Sequence, residues 1–385
     1  MVECDYLMNI RTEDIINASG TLTSLGGCRT RPEVVEAMSK IAGKFISLAE
    51  LYQNAGEHLA QILGVEAAMV TSGAAAALTI ATAACMVGDD PLFASRLPDP
   101  PDKNKVIIQC CHRNPFERAI KLAGAALYQI GDAIQTLPGD LESALDGDVA
   151  AVVFFLQGEM YDASLSLSET LDISHTHAVP VIVDAAAELP PKENLWKLSQ
   201  AGADLVIFSG SKDLRGPQTS GLLIGRSDLI NQSMAQTAPH EHVAGRPMKA
   251  GKELVVGLVA AIEMYLQEDE ESRFEKWEEI VKFFLEQLNS INDLKARRVT
   301  PSQPYIQPAC IPRIGIKVNQ NSPHTPISLK NDLWSGNPPI SVEIIGEEVW
   351  INPHTLAMKE AGVIVQRIRS IIGSEHELQE TTKSR

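Results

Sequence analysis

The sequence predicts an α/β protein with a large domain built on a mostly parallel sheet, and a smaller α+β domain at its C-terminal end. Two observations predict the large domain. Short apolar runs rich in Val, Ile and Phe recur between about 106 and 226, and helix-periodic stretches separate them. A third predicts the small one: beyond about 260 the apolar segments become short and alternating.

In order along the chain, the first thirty residues are turn-rich (NASG, SLGG) and suit an arm or a loop beside a site. Residues 32–64 carry helical periodicity. Residues 67–88, AAMVTSGAAAALTIATAACMVG, hold no charge, yet Ala and small polar residues dominate and TSG interrupts them. That composition predicts a buried helix after a tight turn, and no membrane span. Strands follow at VIIQC (106–110), AAVVFFL (150–156), VPVIVDAA (179–186), DLVIFSG (204–210) and GLLIGR (221–226). Helices are expected at 114–123, 167–177 and 192–201, and a long helix pair with a charged middle at 250–290. IPRIGIKV, ISVEIIG and EEVWINP read as short strands, and 356–372 as a helix. The division expected is an arm at 1–30, a large domain at 31–258, a small domain at 259–376 and a polar tail at 377–385.

Composition narrows the functions open to such a fold. With 33 basic and 49 acidic residues the formal charge is −16, and no basic run breaks the acidity. Nucleic acid is therefore not expected as a partner, although a local pocket for one small anion is compatible with it. The N-terminus lacks the charged-then-apolar layout of a signal peptide. The six cysteines are scattered, with no metal-ligand spacing, so no metal site is expected. Reduced thiols in the cytoplasm suit them.

The chemistry centres on Lys212, in LVIFSGSKDLRGPQTSGLLIGR. Most lysines lie in surface loops, but this one stands between two buried-type strands. Ser209, Gly210 and Ser211 would let backbone and hydroxyls approach a ligand. An amine held in such a cleft loses proton affinity and becomes a nucleophile, as the covalent anchor of pyridoxal 5'-phosphate must be. That cofactor needs a carboxylate beside its ring nitrogen. Asp184, closing the run VIVD, can supply it; the alternative is a helix N-cap. The phosphate needs N–H groups at a helix start, which Ser72, Gly73 and Ala74 offer, as any buried helix beginning with Ser-Gly would. Ser209 and Ser211 could add hydroxyls. His112, after the strand at 106–110, suits stacking on the ring or acid-base work, against a capping or surface role. Asn17, Ser19, Arg246 and Lys249 are candidates for substrate anions, with turn and helix-start roles equally open. SGSK also fits the S-x-x-K pair of penicillin-recognising enzymes, but the companion S-D-N and K-T-G elements are absent from the sequence.

Assembled, these residues resemble the selenocysteine synthase-like (seryl-tRNA selenium transferase-like) branch of fold-type-I pyridoxal phosphate enzymes. INASG with LGG, VIVDAAAE, FSGSK, GPQTSGLLIG and GRPMKAGKE carry the likeness, over about residues 14–265. Within the branch the chain is most similar to D-glucosaminate-6-phosphate ammonia-lyases, on the short N-terminus, the RLPD segment (Arg96–Asp99) and His112. The resemblance implies an aspartate aminotransferase-like large domain and the loss of water and then ammonia from a 2-amino-3-hydroxy acid, such as a phosphorylated sugar amino acid, to give a 2-oxo acid. Lys212 would take the Cα proton. His112 would stack on the cofactor or assist the leaving group, and Arg246 and Lys249 would meet phosphate or carboxylate. A homodimer or higher homo-oligomer with shared active sites is implied as well. Racemisation, aldol cleavage and selenium- or sulfur-transferase-like β-replacement use the same lysine and aspartate and stay open, as does a non-catalytic binding role. Two segments depart from the relatives: Asp213 and Arg215 beside the lysine, with Arg215 a further substrate-binding candidate, and QGEMYDASLS at 157–166.

Overall fold

The computed structural model describes residues 13–157, 162–301 and 308–383, with side chains described as far as 373. Residues 158–161, in the second departing segment, lie outside the described ones. The chain forms two compact units, one of Gly26–Glu268 and one of the residues before Gly26 together with Asp269–Pro301 and the stretch from Cys310 onward.

The first strand, β1 (Ile16–Asn17), belongs to the second unit. The larger unit opens with helices α1 (Pro32–Ala42) and α2 (Leu48–Leu63), then β2 (Ala67–Thr71), α3 (Ala74–Val87) and α4 (Pro91–Ala94). Next come β3 (Lys105–Gln109), α5 (Arg118–Leu122), β4 (Ala126–Ile130), α6 (Pro138–Ala144) and β5 (Val149–Phe155). The unit continues through α7 (Leu167–Thr176), β6 (Val181–Asp184), α8 (Asn194–Gln200) and β7 (Leu205–Ser209). It ends with β8 (Gly221–Gly225), α9 (Ser227–Ala235) and α10 (Lys252–Gln267).

Strands β2 to β8 form one seven-stranded sheet in the order β2-β8-β7-β6-β5-β3-β4. Only β8 runs against its neighbours. The side chains of each strand alternate between two cores, as the pleat requires. Val206 and Phe208 of β7 join the core under α2, α7 and α10, whereas Leu205 and Ile207 join the core under α3, α5 and α9. Both faces of the sheet are covered except at the exposed edge strand β4 (ALYQI), which is why its inner strands read as unbroken apolar runs.

In the apolar stretch 67–88 the turn and buried helix stand as expected, and the residues before the turn, for which no element was expected, form a strand. AAMVT is strand β2, paired antiparallel with β8, and the helix begins only at Ala74. Alanine has low strand propensity, so the sheet-edge pairing is what makes this segment extended. Among the described residues no helix is long and apolar enough to cross a membrane.

The second unit adds α11 (Glu270–Leu288), β9 (Leu294–Val299), β10 (Arg313–Val318), α12 (Pro326–Trp334) and β11 (Ile340–Ser341). It closes with β12 (Glu343–Ile345), β13 (Glu348–Ile351) and α13 (Met358–Lys383). β12-β13-β10-β9 form an antiparallel sheet, and β1 pairs in parallel with β11. Ile280, Phe284, Ile314, Ile316 and Ile364 pack in its own core.

Candidate active site

In a sheet of this kind ligands gather beyond the carboxyl ends of the parallel strands. Asp184 is the last residue of β6, and Lys212 follows the end of β7 by three residues. His112 lies just past β3, and Ser72 and Gly73 just past β2. Because β8 is antiparallel, its first residue, Gly221, stands opposite both Ser209 and Thr71 at this same edge. Five chain crossings thus converge on one rim of the larger unit.

The lysine loop is closed by its own backbone. Gly210 N–H donates to Ser220 O at 2.8 Å, Gly216 N–H to Gly210 O at 2.8 Å, and Arg215 N–H to Lys212 O at 3.0 Å. Residues from the turn-rich N-terminal stretch brace it, Thr30 Oγ1 donating to Gly216 O at 3.4 Å. Arg215 reaches the tight turn with a φ of +57°, and its guanidinium lies 3.9 Å from Glu268, which also pairs with the buried Arg31 at 2.7 Å. Asp213 is buried beneath the loop and accepts a hydrogen bond from Tyr265 Oη at 2.7 Å. The departure at Asp213 therefore serves the support of the lysine turn.

Burial sets the electrostatics. Desolvation pushes the Lys212 amine below the usual lysine range, and the nearby Asp184 and Glu188 charges only partly oppose it. Burial also pushes the Asp184 carboxyl up, although the Ala186 N–H (3.0 Å) and Lys212 favour its ionised form. A protonated ring nitrogen would give that carboxylate a directly bonded cation, which no described residue supplies within ion-pair distance. Glu188 escaped the sequence reading, yet it stands four residues after Asp184 in the same motif, DAAAE.

The turn after β2 fits an anion. Gly73 caps α3 at φ +115°, a conformation that excludes a side chain, and no side chain caps the helix. The first N–H groups of a fourteen-residue helix are left for a ligand. The Ser72 hydroxyl donates to Met248 O at 2.7 Å, which draws the segment Arg246–Met248 to this turn. Arg246 is half-buried there and Lys249 is exposed. Ser209 and Ser211 share a hydrogen bond of 3.3 Å between hydroxyls.

His112 is buried, edge-on to Phe154 with ring centroids 4.6 Å apart. Its Nε2 lies 2.8 Å from Ser164 Oγ, and its Nδ1 has no partner among the described residues. Burial lowers its pKa to about 4, so the ring is neutral at pH 7. Asn17 and Ser19 belong to the second unit. The Asn17 side chain closes its own turn, donating to Gly20 O and accepting from Ser19 N–H, and the Ser19 hydroxyl bonds Ser341 at 2.8 Å.

A lysine and a carboxylate at neighbouring strand ends, with an uncapped helix start on the same rim, suit pyridoxal phosphate. Comparison with known proteins decides the family. The model of SelA, L-seryl-tRNA selenium transferase, matches residues 15–307. The chain belongs to the SelA family. It is a fold-type-I, pyridoxal phosphate-dependent member.

Among curated relatives of this SelA-family chain, it is 36% identical to the 5'-C-glycyluridine monooxygenase-decarboxylase of a Streptomyces species, over 74% of this chain and 71% of that one. It is 34% identical to the D-glucosaminate-6-phosphate ammonia lyase of Salmonella typhimurium, over 66% and 68%. With the L-seryl-tRNA(Sec) selenium transferase of Carboxydothermus hydrogenoformans it shares 23% identity, and the match spans only 56% of that protein. Among solved structures, D-glucosaminate-6-phosphate ammonia-lyase superposes with a TM-score of 0.83 at 28% identity, covering 97% of this chain and 99% of that one. A NifS-like protein shares the fold alone, with a TM-score of 0.58 at 15% identity.

Proposed function

We propose that this SelA-family protein is a lyase that removes ammonia from a small 2-amino-3-hydroxy acid, of the phosphorylated sugar-acid kind, leaving a 2-oxo acid. The observation that carries the reading is the end-to-end superposition on an ammonia-lyase, at a TM-score of 0.83.

Lys212 Nζ is the covalent anchor of the cofactor, and its lowered proton affinity keeps the amine available to react. Asp184 would hold the ring nitrogen, and the N–H groups at Gly73 and Ala74 would hold the phosphate. Pyridoxal phosphate supplies the electron sink that makes the Cα–H bond of the substrate acidic. Lys212 Nζ would take the Cα proton and deliver it to the departing hydroxyl. Arg246, near the phosphate turn, Lys249, and Arg215, which also faces Glu268, are candidates to meet substrate anions.

The protein works as a homo-oligomer in the cytoplasm. Support for the first comes from the exposed apolar side chains of Val35, Phe45 and Ile46, and for the second from the free thiols of Cys28, Cys85, Cys110, Cys111 and Cys310. Sedimentation velocity should give a mass of at least two chains; a monomer at micromolar concentration would remove the shared-site reading.

Incubating the holoenzyme with a panel of 2-amino-3-hydroxy acids, D-glucosaminate-6-phosphate included, should release ammonia and 2-oxo acid in equal amounts. Lys212→Ala should lower that rate by about 10²–10⁴-fold and abolish the visible absorbance of the bound cofactor. A second reading rests on the 36% identity to a monooxygenase-decarboxylase. Oxygen uptake with carbon dioxide release, and no activity without oxygen, would establish that reading and overturn the lyase.

A further inference from the structure

Ser164 sits where the hydrogen-bonding state of His112 is decided. A hydroxyl has one proton to donate. Around Ser164 Oγ stand Leu165 O at 2.7 Å, His112 Nε2 at 2.8 Å, Gln109 Oε1 at 3.3 Å and the Cys111 thiol, a weak donor that takes up one lone pair of the hydroxyl and leaves the other for His112. Gln109, the buried last residue of β3, holds the Leu165 backbone in place. Its Oε1 accepts from Leu165 N–H at 2.7 Å, and its Nε2 donates to Leu165 O at 3.3 Å.

Two proton arrangements satisfy the Ser164–His112 contact. If the hydroxyl donated to Nε2, the ring proton would sit on Nδ1, which is buried and has no acceptor among the described residues. If it donates to Leu165 O instead, Nε2–H donates to the hydroxyl and only a lone pair on Nδ1 is left over. Orphaned buried N–H groups are rarer than under-satisfied acceptors because a donor has no second way to be met. The second arrangement wins.

We infer that Ser164 is a positioning residue that locks His112 in its Nε2–H form, so that the ring offers the site a bare Nδ1 acceptor and no proton. His112 then has no proton free to give a leaving group, since its one N–H is engaged by Ser164. The low proton affinity of the buried ring agrees with this. A ligand group that meets Nδ1 must itself be a donor, a hydroxyl or an N–H.

The test is the two-bond ¹H–¹⁵N spectrum of the holoenzyme labelled with [¹⁵N]histidine, with His112 assigned by the signal lost in His112→Asn. The expected result near pH 7 is a single form with protonated Nε2 and unprotonated Nδ1. Ser164→Ala should replace it with a mixture of the two neutral forms, and Ser164→Thr, which keeps the hydroxyl, should restore it. A protonated Nδ1 in the native protein would overturn the assignment. So would a pure Nε2–H form in Ser164→Ala. Should Ser164→Ala fail to fold, the native spectrum and Ser164→Thr still decide.

Discussion

Lys212 and Asp184 share one dilemma: each is an ionisable group held where its charge is poorly solvated. Desolvation lowers the proton affinity of the amine and raises that of the carboxyl, so burial disfavours the ionised form of both. A neutral amine is the reactive form, and the sign of its pH dependence follows. The rate at which the apoprotein takes up pyridoxal phosphate should rise with pH and level off below the ordinary lysine value of 10.5. The Asp184 charge pulls the Lys212 pKa upward, so Asp184→Asn should move the plateau to lower pH still. Stopped-flow uptake across a pH series reads both shifts; a plateau at or above the ordinary value would contradict the burial of the amine. Lys212 and Asp184 were legible as residues because each ends an apolar run. Ser164 and Gln109 were not, since their relevance lies in a contact between residues 55 apart in the chain.

At the scale of elements, the approach of β8 to the start of α3 is what shapes the phosphate turn. A Cβ on Gly221 would lie 2.6 Å from Gly73 C and 2.8 Å from Ala74 N. Backbone cannot yield as a flexible side chain can, so Gly221→Ala should push the turn away from β8. The expected loss is about 1–3 kcal/mol in stability, with weaker retention of pyridoxal phosphate. Gly139→Ala in α6 is the control, because its Cβ would meet nothing within 4 Å; it should leave both properties intact. Denaturant titration and cofactor dialysis measure them, and equal effects in the two variants would refute the close-approach argument. Strand β2 shows why this junction was hard to read. Its alanines look helical, and only the pairing with β8 identifies AAMVT as the strand that leads into the turn.

On the scale of the whole molecule, the charge of −16 governs which partners can approach. A polyanion meets net repulsion that a single anion, held by backbone N–H groups at a helix start, does not. Transfer RNA should therefore show no gel-shift with this protein at physiological salt. A shift that weakens with added salt would count against the small-molecule reading and bring the selenium-transferase relatives to the fore.

The alternation of apolar runs and helices determined the layered α/β class, because a sheet covered on both faces needs strands that are apolar throughout. The same pattern gave the order β7, lysine loop, β8, and the carboxylate at the end of β6. Tertiary structure decided the rest. It brought the ends of β2, β3, β6 and β7 to one rim and placed Met248 on the Ser72 turn. It also set Asp213 under the lysine turn against Tyr265, and tied His112 to Ser164. Local sequence encodes which segments are extended or helical. Which segments meet depends on strand order and register, and those are fixed by burial summed over the whole sheet.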